Sequence, residues 1–435
     1  MLSSVEDNVL ITGLGAVACA GPSAGTIWES VLSGRSGIGR IAQWDSSGWA
    51  FPLGGEIAGF DPRALVPDRK LHKLLSRADL LGLNAAGQAL ADSGLPAWRE
   101  GLDESGRREL NERTAVVCSS GGENYRNQYD YFPLLDKARG DLNAFGAELT
   151  STVNPMWLLR TLPNNVLCYT GVTAGFKGPN ANFTSHSAGG ALAIIEAARM
   201  LRDGEADRAL VVGYDATVEP QSVLYFAGLG LLSATAIRPF DAERDGSILG
   251  EGAAALLLET RAAAEERGAV ARGGVLGGAV VSEAGGLLSL RDDGDGVRRA
   301  VREGLRLSGV DPEEVSLVAA HGNGTPRSDA TEGLALLELF GEGGPPVTAF
   351  KWAVGHLIAA SGVLEAVLTV LALGRREAPG IATLRALDPA LRGLRVSREA
   401  QPIGGDTGIL IGRGFGGLAA SLVLRARCLT HSRTR

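Results

Sequence analysis

Apolar runs that end abruptly in glycine or small polar clusters recur along this chain, and they constrain the fold most. Val9-Leu10-Ile11-Thr12-Gly13-Leu14-Gly15 is one, and Thr114-Ala115-Val116-Val117-Cys118-Ser119-Ser120-Gly121-Gly122 another; 209–213 and 317–321 read alike. A strand apolar at nearly every position must be covered on both faces, whereas alternation would mark one wet face. Between these runs lie helical patterns over 27–33, 78–93, 188–202, 294–308, 329–340 and 361–373. Such alternation predicts an α/β protein with buried, largely parallel sheets. At 435 residues, 45% of them hydrophobic, the chain can bury one very large core or two fused ones. The stretch 123–165 is less regular and aromatic-rich, which suggests an insertion carrying a pocket or an interface. The tail 430–435 is expected to be disordered.

The segment Gly178-Pro179-Asn180-Ala181-Asn182-Phe183-Thr184-Ser185-His186-Ser187-Ala188-Gly189-Gly190 runs straight into a helical pattern. A residue on a turn at a helix start meets backbone N–H groups and the positive end of the helix dipole. That environment turns a thiol into a thiolate. A hydroxyl gains far less, because it needs an adjacent base to lose its proton. The turn suits a nucleophile, yet Ser187 is a poor one.

Composition removes several classes of function. The net charge of −7, without any block of Lys or Arg, argues against a nucleic-acid surface. Cys19, Cys118, Cys168 and Cys428 make neither a disulfide framework nor paired metal spacing. The N-terminus lacks the order of a signal peptide. The apolar stretch 362–373 contains Glu365 and is too short to span a bilayer. A soluble, reducing, cytoplasmic setting without membrane or nucleic-acid partners is the expectation. Gly13-Leu14-Gly15 lacks the third glycine and the later acidic residue of a dinucleotide site.

Further motifs follow in order: Arg238-Pro239-Phe240-Asp241-Ala242-Glu243-Arg244-Asp245-Gly246, then Gly250-Glu251-Gly252. His321-Gly322-Asn323-Gly324-Thr325-Pro326-Arg327-Ser328-Asp329-Ala330-Thr331-Glu332 comes next, then Lys351-Trp352-Ala353-Val354-Gly355-His356 and Gly412-Arg413-Gly414-Phe415-Gly416-Gly417. Together they resemble the β-ketoacyl-acyl-carrier-protein synthases, collinearly from about Val9 to Arg425. The resemblance implies a thiolase-type α/β fold of two similar halves, 1–258 and 259–435, each with a mixed five-stranded sheet, stacked in alternating helix and sheet layers. It implies a dimer, and substrates carried on the phosphopantetheine of an acyl carrier protein, with no bound cofactor. It also implies chain extension by decarboxylation of malonyl-carrier-protein, the carbanion attacking an acyl-cysteine.

Mapped residue by residue, Ser187 stands where the family has its cysteine. His321 and His356 are the two histidines, Lys351 the lysine, and Phe415 belongs to the oxyanion loop. Thr325 keeps a position that helps bind the pantetheine arm, while Asn323 replaces a threonine there. Ser247 and Arg413 each replace a phenylalanine. A cation at Arg413 would alter an apolar pocket, and burying it unpaired would be costly.

The altered acyl chemistry on an intact scaffold resembles the chain length factors of type II polyketide synthases. These lack the cysteine and pair with a cysteine-bearing ketosynthase. Tyr125, Tyr129, Tyr131, Phe132 and Phe145 are then candidates for a tunnel wall at the dimer interface. Against a simple match, many chain length factors have lost the histidines that survive here. Each residue also has a structural alternative. His321 and His356 could bond backbone in a former site, Lys351 could pair with a buried carboxylate, and Glu251 and Asp241 could hold loops. Ser187 could merely cap its helix. The aromatics could fill an ordinary interface. His186 could be proposed as a base for Ser187, although neighbouring side chains on such a turn diverge. Three functions remain open: a non-acylating partner subunit, a malonyl-carrier-protein decarboxylase using His321 and His356, and a serine acyltransferase using Ser187.

Overall fold

Ten strands carry the architecture, and the computed structural model describes residues 8–121, 129 and 131–426. The first five are β1 (Val9–Ala18), β2 (Thr114–Ser120), β3 (Asn180–Phe183), β4 (Arg208–Ala216) and β5 (Glu251–Thr260). They lie in the order β1-β5-β4-β2-β3. The first two pairings are antiparallel and the last two parallel. Next come β6 (Gly273–Ser282), β7 (Val315–Ala319), β8 (Val347–Thr348), β9 (Thr407–Gly414) and β10 (Leu418–Ala426). Their order, β6-β10-β9-β7-β8, repeats the same arrangement with the same pattern of directions. Two antiparallel partners, Leu10 with Gly274 and Ile11 with Gly273, join the groups edge to edge. Every residue of β1 and β2 is buried, as their unbroken apolar runs require.

Helices make the layers. α1 (Arg77–Ser93) covers β1, β4 and β5, and α3 (Asp295–Ser308) covers β6 and β10 in the equivalent place. α1 starts where Ser76 and Asp79 cap each other's backbone N–H groups. α2 (Gly189–Arg202) and α5 (Ser361–Arg375) each touch strands of both groups and form the central layer. They come so close that a Cβ on Gly190 would lie 2.8 Å from the Gly362 Cα. Only glycine at both positions permits that approach. α4 (Pro326–Phe340) follows β7.

Two expectations need correction here. The apolar stretch around 362–373 extends over Ile358–Arg375, long enough to cross a membrane, yet 83% of it is buried inside the protein. It is a core helix, and its Glu365 is neutralised by an ion pair with Lys351. The insertion is also more regular than its sequence, containing helices Phe132–Ala138, Leu142–Thr152 and Trp157–Thr161, and helix Asn165–Ala174 follows it. None of the residues of Leu142–Thr152 is buried, so no apolar stripe marked that helix in advance.

Candidate active site

A short 3-10 turn, His186–Ala188, sits on the N-terminal end of α2 and presents Ser187 to the interior. His186 adopts φ +47°, a left-handed conformation that is costly for a residue with a Cβ. The strain divides the two neighbours. The His186 ring packs on Phe415, centroids 4.7 Å apart, while Ser187 Oγ lies 3.1 Å from His356 Nε2. His186 is therefore no base for Ser187. Nor does Ser187 cap the helix, which starts without any side-chain cap.

His356 is fixed from both sides. Its backbone N–H donates to Ile248 O, its carbonyl accepts from Gly250 N–H, and its Nδ1 accepts from Ile358 N–H at 3.2 Å. Ile358 reaches that position at φ +44°, a second strained residue beside the site. Ser361 Oγ also lies 3.2 Å from Nδ1. Because Nδ1 accepts, the single proton of the neutral ring must sit on Nε2. Burial holds the pKa of His356 well below the usual imidazole value, helped by the Lys351 charge and by His186. The ring is neutral, and its Nε2–H donates to Ser187. It cannot accept the serine proton.

His321 is held by the same logic from other elements. It follows β7 and lies 5.4 Å from His356, ring centre to ring centre. Its Nδ1 accepts from Arg413 N–H at 3.3 Å, which leaves Nε2 protonated. Burial, then Lys351 and His356, then Arg413 push its pKa well down. Two carboxylates of α4 carry the His321 loop. Glu332 accepts from the N–H groups of His321 and Gly322, and Asp329 from those of Asn323, Gly324 and Phe240. Lys351 Nζ donates to His321 O at 2.6 Å and to Glu365 at 2.5 Å. Glu251 pairs with Arg77, and Asp241 accepts from the N–H groups of Glu243, Arg385 and Ala386.

Ser187, His321 and His356 line one narrow cavity of about 100 Å³, tighter than the ~300–1,000 Å³ of ordinary small-ligand sites. Ser247, Asn323, Thr325, Arg413 and Phe415 line it too. Phe415 packs between His186 and Phe226, whose centroid is 5.8 Å away. Asn323 Oδ1 accepts from both the N–H and the hydroxyl of Thr325, so the pair is tied to itself. Arg413 is buried but not unpaired, which meets the cost that its burial carries. Its guanidinium donates to Ser328 O and Thr331 Oγ1 and pairs with Glu283 at 3.4 Å. Glu283 lies 130 residues away in sequence, and no local motif pointed to it.

Among the described residues, the aromatics Tyr129, Tyr131, Phe132 and Phe145 do not line this cavity. Tyr129 bonds Glu219 and lies near Phe132, and Tyr131 packs on Phe145 and Trp157. Tyr125 falls outside the described residues. Leu287 and Leu288, on the loop after β6, do line the mouth. That loop is tied to the Phe415 turn, since Gly416 N–H donates to Leu287 O.

Known proteins resemble this arrangement over its whole length. The profile of the "Beta-ketoacyl synthase, N-terminal domain" matches residues 6–264, and that of the C-terminal domain matches 273–385. A 3-oxoacyl-[acyl-carrier-protein] synthase 2 from Synechocystis is 31% identical, covering 98% of this chain and 99% of its own. One of the same name from Coxiella burnetii is 30% identical, covering 96% and 98%. Among solved structures, the ishigamide ketosynthase/chain length factor superposes with TM-score 0.83 at 28% identity, covering 97% and 99%. A β-ketoacyl synthase from Burkholderia phymatum gives TM-score 0.84 at 27% identity, covering 97% and 100%.

Proposed function

The chain belongs to the β-ketoacyl synthase family, and from that premise we propose that it is a non-acylating ketosynthase subunit. In this reading it pairs with a cysteine-bearing ketosynthase, in the manner of a chain length factor, and the pair extends chains from malonyl-carrier-protein. The observation that carries it is the Ile358 N–H that donates to His356 Nδ1. Ile358 N–H occupies Nδ1, so Nε2–H donates to Ser187 and no base takes up the serine proton. The partner's cysteine would hold the growing acyl chain. Loss of carbon dioxide from the malonyl thioester leaves an enolate whose carbon attacks that acyl group, and the thiolate departs. Likeness to a ketosynthase/chain length factor supports the pairing.

Co-expression with a cysteine-bearing ketosynthase, followed by gel filtration and product assay, tests this. A stable complex that makes product only when both chains are present is expected. An active homodimer that ignores such partners would end the idea.

A second reading, a malonyl-carrier-protein decarboxylase, is favoured by one specific feature. Both imidazoles carry their proton on Nε2, and two such donors can stabilise an enolate oxygen without any thiol. Carbon dioxide release that falls about 10²–10³-fold in His356→Ala would support it. The absence of release from the intact protein would remove it. The serine acyltransferase reading lacks the base it requires.

A further inference from the structure

Two buried polar atoms of cavity-lining residues lack any hydrogen-bond partner among the described residues: Ser247 Oγ and Arg413 Nε. Ser247 is 5% exposed and Arg413 4%. Native proteins rarely leave such atoms unpaired, and those that do often await a ligand or water. Both residues line the cavity that also holds Ser187 and the two imidazoles. Much of the remaining wall is apolar: Phe226, Leu231, Leu249, Ile358 and Phe415.

We propose that Ser247 and Arg413 form a hydrogen-bonding subsite for a neutral oxygen, a hydroxyl or keto group on the bound acyl chain. The cavity then prefers oxygenated over hydrocarbon acyl groups. This rests on the reading of the cavity as an acyl-thioester site. A carboxylate or phosphate does not fit, because the guanidinium charge is already offset. Glu283 pairs with it, and Glu332 and Asp329 lie near enough to act on it. An added anion would meet three carboxyl groups and no spare cation. An aliphatic chain would leave both polar atoms buried and unpaired. A hydroxyl or keto oxygen needs only a donor and brings no charge.

The test uses the full chain and pantetheine ligands joined through an amide, which cannot be transferred. Hexanoyl, 3-hydroxyhexanoyl and 5-hydroxyhexanoyl forms are compared by calorimetry. The intact protein should bind at least one hydroxylated form about tenfold more tightly than the hexanoyl form. Ser247→Ala, which removes one donor at little change in volume, should bring the ratio close to one while hexanoyl affinity holds. Arg413→Lys keeps a cation beside Glu283 but removes Nε, and should act in the same direction. Hexanoyl bound as tightly as both hydroxylated forms overturns the subsite and leaves the acyl-site reading standing. Binding of none of the three overturns both. An equal loss for all three ligands in Ser247→Ala would mark that residue as structural and sink the subsite.

Discussion

The hydroxyl of Ser187 receives a hydrogen bond from His356 because Ile358 has already occupied the other ring nitrogen. The same donor would stabilise a thiolate, as would the start of α2. Ser187→Cys should therefore gain an acyl adduct by intact-protein mass spectrometry after incubation with an acyl thioester. We expect at least about tenfold more adduct than in the wild type, the factor of one pKa unit. Unmodified mass in both proteins would contradict the electrostatic account of this turn. Asp329 offers a second test at this scale. Burial raises its pKa from 3.8 to about 7, despite the N–H groups of Phe240 and Gly324 that favour the charged form. An acid whose folded pKa is raised contributes stability fully below its unfolded pKa, and that contribution disappears as pH climbs through about 7. His321 and His356, with lowered pKa values, act oppositely and cost stability as pH falls below 6.5. The two effects are separated by a variant. The advantage of wild type over Asp329→Asn in urea unfolding should shrink between pH 5 and pH 8, by up to about 3 kcal/mol at ~1.4 kcal/mol per pKa unit. A pH-independent difference would refute the assignment.

α2 and α5 bring the two halves to one site, and their crossing is set by Gly190 and Gly362. A side chain on Gly190 would meet Val363 N at 2.7 Å, which is backbone and cannot swing away. Gly190→Val should cost about 1–3 kcal/mol or more, as overpacking does. It should also move the turn that carries Ser187, read as lost ligand binding at temperatures where the variant remains folded. Unchanged stability would mean that the helices are free to separate. Elements of this kind were legible in the sequence because burial on both faces leaves an unbroken apolar run, as in β1 and β2. The surroundings of the His321 loop were half legible. Asp329 and Glu332 stood within a recognisable motif, but their role as acceptors for the loop N–H groups needed coordinates. Glu283 was invisible, since pairing with Arg413 crosses 130 residues and depends on β6 lying beside β10. The helix Leu142–Thr152 escaped because a helix without a buried face has no period to read.

Across the whole molecule, one arrangement of five strands occurs twice, and the site takes Ser187 and Ser247 from the first and His321, His356 and Arg413 from the second. Such a site can be complete in its hydrogen bonds yet incomplete in its surface. The insertion and the helix after it leave large apolar side chains in water: Leu142 is 80% exposed, Val172 71%, Leu158 55% and Phe132 50%. Single exposed apolar residues are ordinary, whereas a contiguous patch of them marks an interaction surface, and the proposed pairing makes these the residues to test. A partner ketosynthase covering them would remove this area from water, at roughly 25 cal/mol per Å². Leu142→Asp combined with Val172→Asp should therefore weaken pairing at least about tenfold. The chain alone should change in stability by no more than about 0.5 kcal/mol, since both positions are exposed. Gel filtration of the co-expressed pair reads the first quantity and thermal unfolding of the single chain the second. Undiminished pairing of the double variant would place the interface elsewhere.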